Sequence, residues 1–333
     1  MWGNRSVSRR AARSRLAIFA ALPVVAFPLR LTATERIRPA PRFTRGETLR
    51  YQIDTRTTTT GKTTTPIADP EGGSKASQTI RLLVRLDVLE VEPGDPGPVR
   101  LSATYEKSWA HSETDAFDPQ TPSLEDRYAR LEGHSIKFTI GPSGQPEDFE
   151  GGEDIRAQQS EVNPLLSWAK GLSLGSGFPR RGIAIGEKWR NERPLLGGPL
   201  GDLFWRTESS YLRNEPCGSS SPSSPPDASL AVADTCAVVL TRFEILRRGR
   251  PKSDATPEDY RRNGLRTLGS WKGSGESLDS ISIASGLLIS STQSSTQDMD
   301  YQIVSAKTGA TIHQVAHVQS QSEVTLLGSL ERP

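Results

Sequence analysis

Apolar and polar residues alternate with a period of two along most of the chain. Ile80, Leu82, Val84, Leu86 and Val88 are interleaved with Arg81, Leu83, Arg85 and Asp87, and Val99, Leu101, Ala103 and Tyr105 with Arg100, Ser102, Thr104 and Glu106. Ala237, Val239, Thr241, Phe243 and Ile245 repeat the pattern, as do Met299, Tyr301 and Ile303. Successive side chains of a strand point to opposite faces, so this period predicts strands that bury one face and wet the other, as antiparallel sheets do. Turn chemistry separates them at Glu92-Pro-Gly-Asp-Pro-Gly-Pro98, Gly141-Pro-Ser-Gly144, Ser285-Gly286 and Thr308-Gly309. Several of the strands are long, which points to a strongly twisted, curved sheet. The expected class is mainly β, α+β at most.

One segment has helical chemistry. Asn163-Pro164 offers an N-cap followed by proline at the first helical position, Leu165, Leu166, Trp168 and Ala169 an apolar side, and Gly171 a C-terminal stop. On either side of it, Arg45-Gly46-Glu47-Thr48-Leu49-Arg50-Tyr51 and Ile185-Gly186-Glu187-Lys188-Trp189-Arg190 open similar blocks of strands. This short repeat suggests two β modules, residues 40–150 and 183–330, joined by a helical linker at 151–182.

The first 33 residues stand apart. Arg5, Arg9, Arg10, Arg13 and Arg15 precede the apolar run Leu16-Ala-Ile-Phe-Ala-Ala-Leu-Pro-Val-Val-Ala-Phe-Pro-Leu29. A basic stretch followed by a short apolar one is the build of a secretory signal peptide, with cleavage expected near Ala26 or Ala33. The run is shorter than the ~20 residues that span a bilayer, and Pro23 and Pro28 interrupt it. A periplasmic or secreted protein is therefore expected, with no transmembrane span once the segment is gone. Its removal also changes the charge: the chain is +2, and a cut after Ala26 takes five arginines and no acid, leaving −3. That balance argues against a nucleic-acid partner, which calls for a basic footprint. Hydrophobic content of 34% and a mean hydropathy of −0.49 are low for a compact α/β enzyme and suit half-wetted sheets with polar loops.

An exported chain with an even cysteine count favours a disulfide. Cys217 and Cys236 flank Gly218-Ser-Ser-Ser-Pro-Ser-Ser-Pro-Pro-Asp227, a loop between two strand-like segments, and their bridge would close its base. Neither C-x-x-C spacing nor a nearby histidine supports a metal or redox role for the pair.

Catalytic signatures are not found. His313 and His317 lie four apart on what reads as a strand, where they share a face but stand about 13 Å from one another, too far for one metal. Glu147, Asp148, Glu150, Glu153 and Asp154 read as a solvated acidic turn without calcium-loop spacing. Ser290-Ser-Thr-Gln-Ser-Ser-Thr296 contains no nucleophile elbow, and Gly273-Ser-Gly275 has no helix after it to receive a phosphate. Residues 57–65 are threonine-rich, which suits an exposed strand face. No cofactor is expected. The tryptophans serve first as core anchors. If the curved sheet holds the helix on its concave side, Trp168, Trp189 and Trp205 are the candidates to line a groove for an apolar ligand.

The stretch Phe178-Pro-Arg-Arg-Gly-Ile-Ala-Ile-Gly-Glu-Lys-Trp189, with Gly273-Ser-Gly-Glu276 and Ser285-Gly286 downstream, resembles a family of exported bacterial β-rich proteins classed as domains of unknown function. The layout of residues 44–327 is more distantly similar to the lipoprotein-carrier half-barrel, a curved antiparallel sheet that wraps a helix and holds acyl chains. The resemblance supplies no catalytic residues. It implies a non-enzymatic periplasmic or secreted binding protein for a lipid, lipoprotein or other envelope component. The alternatives are a structural or protein-interaction module of the envelope, and a hydrolase with a site assembled from dispersed residues.

Overall fold

The computed structural model describes residues 36–330 except 66–72, 95–96, 116–122, 142–145, 152–177, 180, 196–197, 219–233, 249–253 and 255. The expected signal peptide at residues 1–33, the expected helix at 163–171 and Trp168 lie outside the described residues. The elements in chain order are β1 (Thr48–Thr64), β2 (Ser74–Val91), β3 (Val99–Thr114), α1 (Leu124–Ala129), β4 (Ser135–Ile140), β5 (Pro146–Glu150), β6 (Lys188–Pro194), β7 (Leu203–Pro216), β8 (Thr235–Arg247), α2 (Glu258–Arg262), β9 (Leu265–Ser282), β10 (Leu288–Ser305) and β11 (Thr311–Leu330).

The strands form a single antiparallel sheet in the order β5-β4-β3-β2-β1-β11-β10-β9-β8-β7-β6. The chain meanders outward from β1 to β5, then inward from β6 to β11, so its first and last strands meet at the centre. β1 pairs with β11 along its whole length, from Thr48 opposite Leu330 to Thr64 opposite His313, with one register shift between Arg50 and Tyr51. The two blocks of strands marked by the sequence repeat are thus neighbouring halves of one sheet.

Both blocks open on the same turn. Gly46 and Gly186 adopt φ of 83° and 84°, a left-handed conformation that glycine reaches without Cβ strain. The Gly46 amide donates to the Val88 carbonyl (2.9 Å) and the Gly186 amide to that of Tyr211 (2.7 Å). Each following glutamate reaches back three residues: the Thr44 amide donates to Glu47 Oε2 at 2.9 Å, and the Ala184 amide to Glu187 Oε2 at 3.0 Å. In the second block Arg36 and Arg181 also bind Glu187, and the hydrogen bond from the Ala184 amide, then that from Arg36, holds its carboxyl below the usual range.

Burial follows the period-two pattern. Leu49, Tyr51 and Ile53 of β1, Leu82, Val84, Leu86 and Val88 of β2, and Leu101, Ala103 and Tyr105 of β3 are buried on one face, with Ile136, Phe138 and Ile140 of β4. α1 covers them with Leu124 and Tyr128, and Leu131 follows. Each fully buried large side chain contributes roughly 1.5–3 kcal/mol of transfer free energy. The β6–β11 half has smaller clusters: Ile183, Tyr211 and Ala237; Leu200, Leu203 and Ile245; Val239, Ile281 and Leu288. Beyond them β1, β9, β10 and β11 continue as serine, threonine and glutamine, tied across strands by hydroxyl pairs such as Thr55–Ser322 and Thr57–Ser320, each 3.2 Å.

Three local expectations change. α1 and α2 occupy stretches the alternation leaves unassigned; Ser123 caps α1, its Oγ accepting from the Asp126 amide at 3.0 Å, with Glu125 and Asp126 in the first turn. Glu147, Asp148 and Glu150 belong to the edge strand β5 rather than to a turn, and Glu150 pairs with Arg100 across to β3. Gly273 and Gly275 sit inside β9 where a side chain has no room: a Cβ on Gly275 would overlap the Ser294 carbonyl oxygen and the Phe243 ring of β8, and one on Gly273 would stand 2.8 Å from Ile245 Cδ1. Cys217 and Cys236 form a disulfide, Cα–Cα 5.0 Å, at the base of the β7–β8 connection.

Candidate functional site

The alternation that buries Ile53, Leu82 and Val324 on one face turns Asp54, Arg81 and Glu323 to the other. On this polar face Leu240, Leu278, Thr292, Glu323, Asp54 and Arg81 stand side by side across β8, β9, β10, β11, β1 and β2. The next row is Glu276, Ser294, Gln321, Arg56 and Thr79. Together they line a cavity of about 690 Å³. Five strand spacings of about 4.8 Å would hold β8 and β2 some 24 Å apart in a flat sheet, so one cavity shared by both requires the sheet to bend toward its polar face.

A second cavity, of about 800 Å³, lies further along the same strands and takes in Lys272, Asp298, His317, Thr60 and Lys75, with Lys62 and Asp300 below them. Between the two cavities the same face presents Ser274, Thr296, Gln319, Thr58 and Ser77. The polar face is therefore a trough with hydroxyl and amide groups along its floor. Its ionisable lining is balanced: Asp54, Glu276, Glu323, Asp298 and Asp300 against Arg56, Arg81, Lys62, Lys75 and Lys272.

Pairing across strands orders these charges. Arg81 Nε stands 3.2 Å from Asp54 Oδ1, and its guanidinium lies 5.5 Å from the centre of the Trp109 ring. His317 Nδ1 is 2.7 Å from Asp298 and His313 Nε2 is 2.8 Å from Asp300, so the two histidines face separate aspartates of β10. Among the described residues no group of three or more His, Cys, Asp or Glu side chains is placed to hold a metal ion. Toward β6 the face becomes an ion-pair lattice. Arg206 donates to Glu192 (2.8 Å) and to Glu244 (3.3 Å), and Arg190 to Glu208 (2.8 Å). The hydrogen bond from Arg206, then that from Arg248, holds the Glu192 carboxyl below its usual range, and the hydrogen bond from Arg190 does the same for Glu208. Exposed pairs of this kind contribute about 0–1 kcal/mol each, so they shape the surface more than they stabilise it.

Trp189 and Trp205 lie on the opposite face, in register with Ser209 and Arg193 respectively. They belong to different clusters. Trp189 packs on Phe178, ring centroids 5.4 Å apart, and Trp205 on Phe243, 5.1 Å apart. Neither lines either cavity. Trp109 is different: it is 49% exposed, on the polar face at the rim of the first cavity, with His111 stacked beside it at 6.2 Å.

Sequence reading missed the trough residues because they are the complement of the apolar set. Their signal was the run of charges and hydroxyls at alternate positions, which reads as plain solvent exposure until register brings six strands together. It also missed Asp279, which stands on the apolar face between Val239 and Ser291 and is 2% exposed. Burial raises its carboxyl above the usual range, while Ser291 Oγ (2.6 Å) and Ser277 Oγ (3.0 Å) donate to it.

Comparison of the chain with protein families and with curated proteins gives no match. Among solved structures it is similar to one entitled "Lipid-protein interactions in lipovitellin", with a TM-score of 0.47 and 12% identity over 87% of this chain and 26% of that one. The chain thus spans about a quarter of that relative's length. Among the described residues no helix is long and apolar enough to cross a membrane.

Proposed function

We propose that the chain is a non-enzymatic binding protein of the periplasm or the extracellular space, and that the trough of the polar face receives a polar component of the cell envelope. The observation that supports this most is the placement of both cavities on one face, lined by hydroxyl, amide and paired charged groups from six neighbouring strands. Such a lining sets hydrogen-bonding groups at every row beside the carbon stems of its threonine, lysine and arginine side chains, which supports a polymer or headgroup that has both polar and apolar surface. The Cys217–Cys236 disulfide supports an oxidising compartment. A second reading, a protein-interaction module, draws on β5 and β6, which among the described residues have a strand neighbour on one side only.

Co-sedimentation of the full chain with insoluble cell-wall polysaccharide and with phosphatidylglycerol vesicles tests the proposal. Retention that Arg56→Glu abolishes is the expected result. Retention that survives Arg56→Glu but is lost in Trp189→Phe would move the site to the apolar face and overturn it.

A further inference from the structure

Resting on that reading, we infer that the trough takes a neutral saccharide chain, with Trp109 as a stacking platform at its rim. The charge balance is the first reason. Five acidic and five basic side chains line the two cavities, so a polyanion or a polycation gains no net attraction, whereas an uncharged ligand meets donors and acceptors at every row. The floor is the second. Thr292, Ser294, Gln321, Thr296, Gln319 and Thr58 repeat on the polar face two residues apart along each strand, matching a ligand that repeats its hydroxyls along its length. From Asp54 to Lys62 this face extends about 27 Å, enough for several sugar rings.

Trp109 is the third. An indole that is half exposed contributes little to the core, and here it belongs to no buried cluster. Arg81 of the first cavity, itself paired with Asp54, stands opposite Trp109 with its guanidinium 5.5 Å from the ring centre, and His111 stacks beside the ring at 6.2 Å, so the indole is held in one orientation while half of it stays exposed. An apolar ring plane next to paired carboxylate and guanidinium groups meets both the C–H and the O–H faces of a pyranose.

The experiment titrates the full chain with cellohexaose and chitohexaose, with heparin, with an alternating Lys-Glu decapeptide and with phosphatidylglycerol vesicles. Trp109→Ala, Gln321→Ala and Ser295→Ala are titrated alongside, and circular dichroism verifies their fold. The expected result is binding of at least one hexasaccharide that weakens about tenfold in Trp109→Ala, falls in Gln321→Ala and is unchanged in Ser295→Ala, whose side chain lies on the other face and borders neither cavity. Because Trp109 is exposed, Trp109→Phe serves as a folded control that retains most of the affinity. Saccharide binding insensitive to both Trp109→Ala and Gln321→Ala overturns the inference. If only heparin, the peptide or the vesicles bind, and Arg56→Glu abolishes that binding, the saccharide is wrong while the polar-face site stands. If nothing binds, both fail.

Discussion

Asp279 places a carboxylate in the middle of an apolar row, with Tyr211 and Val239 on one side and Ser291 and Val324 on the other. Burial raises its folded-state affinity for a proton above that of the unfolded chain. The stability it contributes is therefore fully present below the unfolded carboxylate range, about pH 4, and is lost as pH rises through the raised folded value. Asp279→Asn keeps an acceptor for Ser291 and carries no charge, so its melting temperature is expected to fall less than that of the parent between pH 4 and pH 7; parallel curves would contradict this. Gly275 makes a second demand on a single position. A methyl there overlaps the Ser294 carbonyl oxygen and the Phe243 ring, so Gly275→Ala is expected to cost about 1–3 kcal/mol in urea denaturation. Neither residue could be read from sequence alone. An aspartate at an alternate position of a polar strand looks solvated, and a glycine between Ser274 and Glu276 gives no sign of the ring above it. Only the register of β8, β9 and β10 shows what lies over each.

The repeated turn is the clearest link between short sequence and local structure. Gly-Glu at 46–47 and 186–187 encodes a left-handed glycine and a carboxylate that caps an amide three residues back, and the structure builds it twice with the same hydrogen bonds. Gly46→Ala and Gly186→Ala are each expected to cost about 1 kcal/mol; costs that differ several-fold would show that the two turns are not equivalent. The β7–β8 hairpin depends on its cross-link. Replacing Cys217 and Cys236 with serine removes a constraint across 19 residues and is expected to lower stability by about 3 kcal/mol, read from the denaturation midpoint under non-reducing conditions. Long strands with alternating faces were legible because their pattern persists over many residues. α1 and α2 were not: at six and five residues they are too short to show a 3.6-residue period, and only the Ser123 cap and its acids mark the first. β5 was hidden by its five residues, of which Glu147, Asp148 and Glu150 are acids.

The sheet as a whole is organised by the pairing of β1 with β11, which joins two meanders into one surface and places β8–β11 and β1–β2 around a common polar trough. Nothing in a linear reading indicates that first and last strands meet, because the contact links residues as far apart in the chain as Thr55 and Ser322, a separation of 267. The same closure explains why the mainly β class was legible while the site was not: each strand declares its two faces, but only their assembly decides which face bends inward. Ser294 and Ser295 offer the most direct test. They are consecutive and point to opposite faces of β10, with Ser294 lining the trough and Ser295 bordering neither cavity. Affinity for whichever probe the full chain binds should be measured in Ser294→Trp and Ser295→Trp. A polar-face site is expected to show at least about a tenfold loss in Ser294→Trp and none in Ser295→Trp; the reverse order would place the ligand on the apolar face and contradict the trough.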